Sequence, residues 1–69
     1  MFIARITGLW DQATIEAQEI GSFRTGGEAF KVLKATLAAN DKIFSGDVFA
    51  LNNNRVMFTA TNPCPEWVR

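Results

Sequence analysis

A single amphipathic helix is the feature that most constrains the fold of this 69-residue chain. Phe30, Leu33 and Leu37 follow the 3.6-residue helical period and form one apolar stripe, with Ala29 beside it. The exposed side of the same helix carries Glu28, Lys31, Ala35 and Ala38. This pattern predicts a helix over Glu28–Ala39 that needs a second layer to cover its stripe.

The residues Thr25-Gly26-Gly27-Glu28 are interpreted as the start signal of this helix. Paired glycines also occur in phosphate-binding loops, but those motifs need further glycines or a following Lys and Ser or Thr. Thr25 and Glu28 instead have capping-box spacing, in which the Thr hydroxyl accepts from the Glu28 amide and the Glu carboxylate accepts from the Thr25 amide. A weak anion site using Arg24 and the remaining free amides is the alternative.

The segments on both sides of the helix have the patterns of β-strands. Phe2–Thr7 alternates, with Phe2, Ala4 and Ile6 on one face and Ile3, Arg5 and Thr7 on the other. A turn over Gly8–Ala13 leads to a weaker strand over Thr14–Phe23, in which Gly21 marks a bulge. Lys42–Thr61 predicts a hairpin around Asn52-Asn53-Asn54, because Asn tolerates the backbone conformations of tight turns.

These elements predict one α+β domain over residues 1–61 with the order ββαββ. Its architecture is a two-layer, four-stranded antiparallel sheet with one helix packed on one face. Residues 62–69 form an extended C-terminal tail, since Pro63 and Pro65 exclude it from a central strand. This tail is either free or packed back on the sheet.

The hairpin register decides which side chains lie under the helix. A three-residue turn pairs Leu51 with Arg55, Ala50 with Val56, Phe49 with Met57 and Val48 with Phe58. That register directs a first set toward the helix, comprising Val48, Ala50, Val56, Phe58 and Ala60. It leaves Phe49, Leu51, Met57 and Ile3 on the opposite face.

An apolar patch on that opposite face is typical of a protein interface. The alternative is that Trp67 or Val68 of the tail covers the patch and keeps the chain monomeric. The predicted partner-binding residues are therefore Phe49, Leu51, Met57, Ile3 and Trp67.

The composition argues against the commonest catalytic and metal sites. The chain has no His and no Tyr, and its one cysteine, Cys64, lies between two prolines. No residues have metal-ligand spacing or a cofactor motif, and no acidic pair adjoins a nucleophile. Asp47 is the most tempting carboxylate, but a solvent-facing strand position explains it. We predict no enzyme activity, no catalytic residues, no metal and no cofactor.

Seven basic and seven acidic residues give a net charge of zero, which supplies no electrostatic footprint for nucleic acid. Arg24, Lys31 and Lys34 could still form a weak anion or nucleic-acid contact near the helix. The sequence shows no secretory signal pattern and no apolar run long enough to cross a membrane, so a cytoplasmic location is expected.

The predicted function is a small non-enzymatic protein-binding module, an inhibitor or adaptor that occupies a surface of a larger protein. In size and element order the chain resembles small proteins that phages and mobile elements encode against host machinery, including some anti-CRISPR proteins. This resemblance implies a host–virus interaction in the host cytoplasm. The alternatives are a nucleic-acid-binding accessory protein and a structural or oligomeric subunit, including a homodimer.

Overall fold

The helix lies on one face of a four-stranded antiparallel sheet, so the predicted two-layer ββαββ fold is confirmed. The computed structural model describes residues 1–12 and 15–68. The strand order is β2-β1-β3-β4, which places β1 and β3 at the centre. The elements are β1 (Phe2–Leu9), β2 (Gln18–Phe23), α1 (Gly26–Ala39), β3 (Ile43–Ala50), β4 (Arg55–Thr61) and a 3₁₀ turn (Glu66–Val68).

Helix α1 begins at Gly26, two residues earlier than predicted, because Thr25 is its N-cap. The Glu28 amide donates to Thr25 Oγ1 at 3.1 Å, as the capping box requires. The reciprocal bond from the Thr25 amide to the Glu28 carboxylate does not form among the described residues. A Cβ at Gly26 would lie 3.1 Å from the Phe58 ring, so this glycine also allows an aromatic side chain to approach the helix start.

The core lies between α1 and the two central strands. Ala29, Leu33 and Leu37 of the helix are buried against Ala4 and Val48, whose side chains are fully covered. Ile43, at the start of β3, belongs to the same buried cluster. The predicted helix stripe and the predicted inner face of β1 therefore meet.

Gly46 lies where the helix packs tightly on β3. A Cβ there would lie 2.5 Å from Leu33 Cδ1 and 2.6 Å from the Arg5 carbonyl oxygen. Real Cβ atoms do not come this close, so the Leu33 side chain packs directly on the β3 backbone. Any larger residue at position 46 would push the helix away from the sheet.

Strand β1 is longer than predicted and β2 is shorter. Gly8 and Leu9, expected in a turn, pair with β3 and extend β1. Strand β2 begins at Gln18, and Ala13 and Thr14, part of the predicted turn and strand, lie outside the described residues.

The predicted bulge in β2 is present but lies at Ile20, one residue before Gly21. Ala4 pairs with Gly21 and Arg5 with Glu19, which leaves Ile20 as the extra residue. The bulge lets Ile20 pack against the core while Glu19 faces the other way. Gly21 is therefore not the bulge residue, because it pairs with Ala4 like any other residue of the strand.

The predicted hairpin register is correct at the pair Val48–Phe58 and wrong nearer the turn. Val48 pairs with Phe58 as predicted, but Phe49 pairs with Val56 and Ala50 with Arg55. The physical reason is that the turn spans four residues, 51–54, and ends at Asn54 with a φ of 54°. Met57 is then left over as a bulge residue, opposite no residue of its own.

The tail begins with a residue that holds three chain segments together. The Asn62 side-chain amide donates to the carbonyl oxygens of Leu37 at 2.8 Å, Ile43 at 2.8 Å and Asn40 at 3.3 Å. The Leu37 carbonyl also accepts from the Asn40 amide and the Asn40 carbonyl from the Ile43 amide, so the Asn62 side chain adds to the bonds that join the end of α1 to the start of β3. Further along, the tail was expected to be extended, whereas Glu66–Val68 forms a 3₁₀ turn.

Candidate interaction surface

The sheet face opposite α1 has no second layer among the described residues, and we call it the open face. Two rows of side chains cross all four strands there, as the strand pairing defines them. The polar row consists of Glu19, Arg5, Asp47 and Thr59. The apolar row consists of Ser22, Ile3, Phe49 and Val56, with the bulge residue Met57 beside Val56.

The polar row is held by a bidentate ion pair between the central strands. Arg5 Nε donates to Asp47 Oδ1 at 2.7 Å, and Arg5 Nη2 donates to Oδ2 at 2.8 Å. Asp47 is only 7% exposed, so the solvent-facing position expected for it is wrong. The reason is that the Arg5 side chain, itself partly buried, lies over the carboxylate and replaces water as its partner.

The hydrogen bond to Asp47 raises the pKa of Arg5 above its usual value, although burial acts in the opposite direction. The charges of Asp47 and of Glu19 on the neighbouring strand add to the rise. Arg5 therefore stays charged at any ordinary pH. Because the Arg5 Nε and Nη2 groups already donate to the Asp47 carboxylate, Arg5 is not a free cation for a phosphate or an acidic ligand.

The ion pair also fixes an aromatic side chain of the apolar row. The Arg5 guanidinium carbon lies 4.7 Å from the centroid of the Phe49 ring, within the range of a cation–π contact. Phe49 is half-buried, and its strand partner Ile3 is half-buried next to it. The polar row thus positions the Phe49 side chain of the apolar row.

The predicted patch residues Ile3 and Phe49 pair with each other on the open face, and Met57 follows Val56, the residue of β4 that pairs with Phe49. Met57 is 47% exposed and its neighbour Val56 is 48% exposed. Sequence reasoning placed Val56 under the helix, and the bulge moves it to the open face opposite Phe49. A run of three apolar residues, Val56-Met57-Phe58, gave no local signal of where the extra residue would lie.

Two other predicted partner-binding residues lie outside the four strands. Leu51 is exposed in the turn at the end of the sheet, where its amide donates to the Met1 carbonyl. Trp67 is 49% exposed on the 3₁₀ turn, which contacts neither α1 nor any strand in the described part of the chain.

The tail lies instead beside the C-terminal end of α1. An open cleft of about 410 Å³ is lined there by Leu37, Ala38, Asp41 and residues 62–65. Cys64 is exposed at its rim, and its thiol approaches only the Pro65 carbonyl, at 3.8 Å. The lining is mostly apolar, and the exposed Asp41 carboxylate is its charged group.

The predicted anion-contacting residues are not on the open face. Arg24 is exposed between β2 and α1, and Lys31 and Lys34 are exposed on the helix. Lys34 Nζ lies 5.6 Å from the centroid of the Phe30 ring, so the Lys34 ammonium group contacts an aromatic side chain of its own helix. The first turn also carries Glu28, whose charge opposes an incoming phosphate.

Over residues 1–12 and 15–68, no three Cys, Asp or Glu side chains come close enough together to hold a metal ion. No helix in the same ranges has both the length and the apolar character needed to cross a membrane. Comparisons of the chain with protein-family models, curated proteins and solved structures found no match.

Proposed function

We propose that this protein is a protein-binding module that docks a partner on its open face. The single observation that carries the proposal is an apolar row of a sheet without a second layer, with Phe49 fixed by the Arg5–Asp47 pair. Antiparallel sheets that face water normally carry polar side chains on that side. Here Val56, which pairs with Phe49, is about half exposed, and so is the bulge residue Met57 that follows it.

The charges of the open face favour a protein over a nucleic acid. Arg5 and Asp47 neutralise each other, and Glu19, exposed on the edge strand, forms no ion pair with any residue of 1–12 or 15–68. A polyanion would meet this negative charge and no clustered positive groups. The surface best suited to the open face is apolar at its centre and carries a basic group facing Glu19.

A module of this kind acts by covering a surface of its partner, as a steric inhibitor or an adaptor. No general base, nucleophile or metal site is needed for that mechanism. The fixed Phe49 ring supplies the rigid aromatic contact that dominates many interfaces. The exposed Met57 side chain, unbranched and adaptable, fills the irregular gaps around it.

The test uses Met57→Asp, with Ala35→Asp on the exposed side of α1 as the matched control. Met57 is preferred to Phe49 because a charge at Phe49 would also disturb the ion pair. Proteins captured from a host lysate by the wild type are identified, purified and titrated by calorimetry. We expect Met57→Asp to weaken binding at least tenfold, equivalent to about 1.4 kcal/mol, and Ala35→Asp to leave it unchanged.

Equal affinities for the wild type and Met57→Asp would contradict the open face as the binding site. Binding only to nucleic acid, with an affinity that falls steeply as salt rises, would contradict the class of partner. Circular dichroism of both variants checks that each is folded.

A further inference from the structure

The cleft beside the C-terminal end of α1 is large enough to hold a small molecule. Its volume of about 410 Å³ lies within the range of roughly 300–1,000 Å³ that is typical of small-molecule sites. Most of the lining is apolar and comes from Leu37 and Ala38 of the helix and the two prolines of the tail. None of the lining residues belongs to the polar or the apolar row of the open face, so the cleft is a separate surface.

The side chains around this cleft offer hydrogen-bond acceptors rather than free donors. The Asp41 carboxylate is exposed and forms no ion pair with another residue in the described part of the chain. The Asn62 side-chain amide already donates to three backbone carbonyls, which uses both of its N–H groups. Pro63 and Pro65 have no backbone N–H, and the Cys64 thiol is only a weak donor. A ligand that donates hydrogen bonds therefore suits this lining better than one that accepts them.

The end of α1 adds negative partial charge to the same side of the cleft. A helix dipole places about half an elementary negative charge at the C-terminus, where cations are stabilised. The last turn of α1 has no basic residue, and Asp41 lies two positions after the helix ends. The carbonyl of Ala38 accepts no backbone hydrogen bond from any residue that the structure describes. The fixed charge and the dipole thus both favour a positively charged ligand.

Two lysines lie close in sequence to Asp41, but neither neutralises its charge through an ion pair. Lys34 lines a smaller adjoining cleft of about 220 Å³, and its ammonium group lies 5.6 Å from the Phe30 ring, one turn nearer the helix start. Lys42 directly follows Asp41 and is exposed, but it is not a lining residue. The Asp41 carboxylate is therefore available to a ligand in the cleft.

We infer that this cleft binds a small organic cation with an apolar body, such as an aromatic or alkyl amine. The ammonium group donates to Asp41 at the helix end, and the apolar body packs on Ala38 and the two prolines. An ammonium group has three donors and no acceptor, which matches the acceptors on this side of the cleft. A single lysine side chain of a protein partner would fill only part of the volume, so the cleft is better suited to a separate small molecule.

The test compares three probes that share a phenylpropyl body and differ in charge. Phenylpropylamine is a cation, phenylpropanol is neutral and phenylbutyrate is an anion. NMR titration of the isotope-labelled chain follows the side-chain amide of Asn62 and the backbone amides of Ala38 and Cys64. We expect the amine to bind about threefold more tightly than the alcohol and about tenfold more tightly than the anion, because an exposed charge and a helix end each contribute modestly.

Two variants test the role of the carboxylate. Asp41→Asn removes the charge and should make the amine bind about as weakly as the alcohol. Glu28→Gln, the matched control, removes a carboxylate from the other end of α1 and should leave the preference for the amine unchanged. Both side chains are exposed, so neither substitution disturbs the core.

A third variant tests the cleft itself. Ala38→Phe fills the cleft from the exposed side of the helix and should weaken the binding of all three probes. Met57→Asp, which tests the open face, should bind the amine as the wild type does.

Three results would overturn the inference. One is equal affinity for phenylpropylamine and phenylbutyrate, and another is a preference for the amine that persists in Asp41→Asn. The third is the absence of saturable binding of the amine up to about 10 mM, or chemical-shift changes that lie outside the cleft.

Discussion

The two faces of the central strands are built by different physical means. On the covered face, the side chains of Ala4 and Val48 are fully buried and have no polar atoms, so this face is stabilised by apolar burial against Leu33. On the open face, the neighbouring residues Arg5 and Asp47 are polar and satisfy each other across the same two strands. A sheet covered by one helix can therefore be stabilised on both sides, by burial on one and by paired charges on the other.

The largest expected effect is on the covered face. Leu33→Ala removes a fully buried side chain that packs on Ala4, Val48 and the Gly46 backbone. The loss of burial and the cavity left behind should lower the free energy of unfolding by about 2–5 kcal/mol. Urea denaturation followed by tryptophan fluorescence measures this change. A loss below about 1 kcal/mol would mean that α1 repacks freely and that the covered face lacks a specific core.

A smaller loss is expected when the ion pair of the open face is broken. Asp47→Ala leaves the partly buried Arg5 without its carboxylate, which should lower the free energy of unfolding by about 2 kcal/mol. The same denaturation experiment measures it. The double variant Arg5→Met/Asp47→Leu should recover part of the loss, since an apolar pair can replace a buried ion pair. If the loss in the double variant equals the sum of the losses in the single variants Arg5→Met and Asp47→Leu, a direct interaction between the two side chains is contradicted.

The smallest effect is expected at Val56 on the open face, and the same substitution at Val48 on the covered face provides the comparison. Val56→Thr, on the exposed part of the open face, should change the free energy of unfolding by less than about 0.5 kcal/mol. Val48→Thr adds a hydroxyl to the fully buried face and should lower it by about 1–3 kcal/mol. Comparing the two denaturation midpoints checks the assignment of faces. Similar losses at both positions would place Val56 under the helix, as the simple hairpin register implies.

Local patterns were enough to predict the layers of this fold. The stripe of Leu33 and Leu37, the cap at Thr25 and the alternation of β1 all depend on residues close together in sequence. Together they predicted the covered face, with Ala4 and Val48 inside it. A single helix can cover only one side of such a sheet, which also predicted that another face stays open.

The details of the open face could not be predicted in the same way. Arg5 and Asp47 are 42 residues apart, and only the placement of β1 beside β3 brings them together. The bulge at Met57 adds one residue inside an apolar run, so the alternation looks acceptable in either register. Asn62, which bonds the helix end, resembled an ordinary loop residue because its three acceptors lie 19–25 positions earlier.

The strand order has a consequence for how this chain reaches its native state. The β1–β2 and β3–β4 pairs each join segments that are close in sequence, whereas the β1–β3 seam joins residues such as Ala4 and Val48 across the intervening helix. Closing that long loop is entropically the most demanding step, and non-local pairing slows folding in general. The refolding rate should therefore report on the seam between the two hairpins more than on either hairpin.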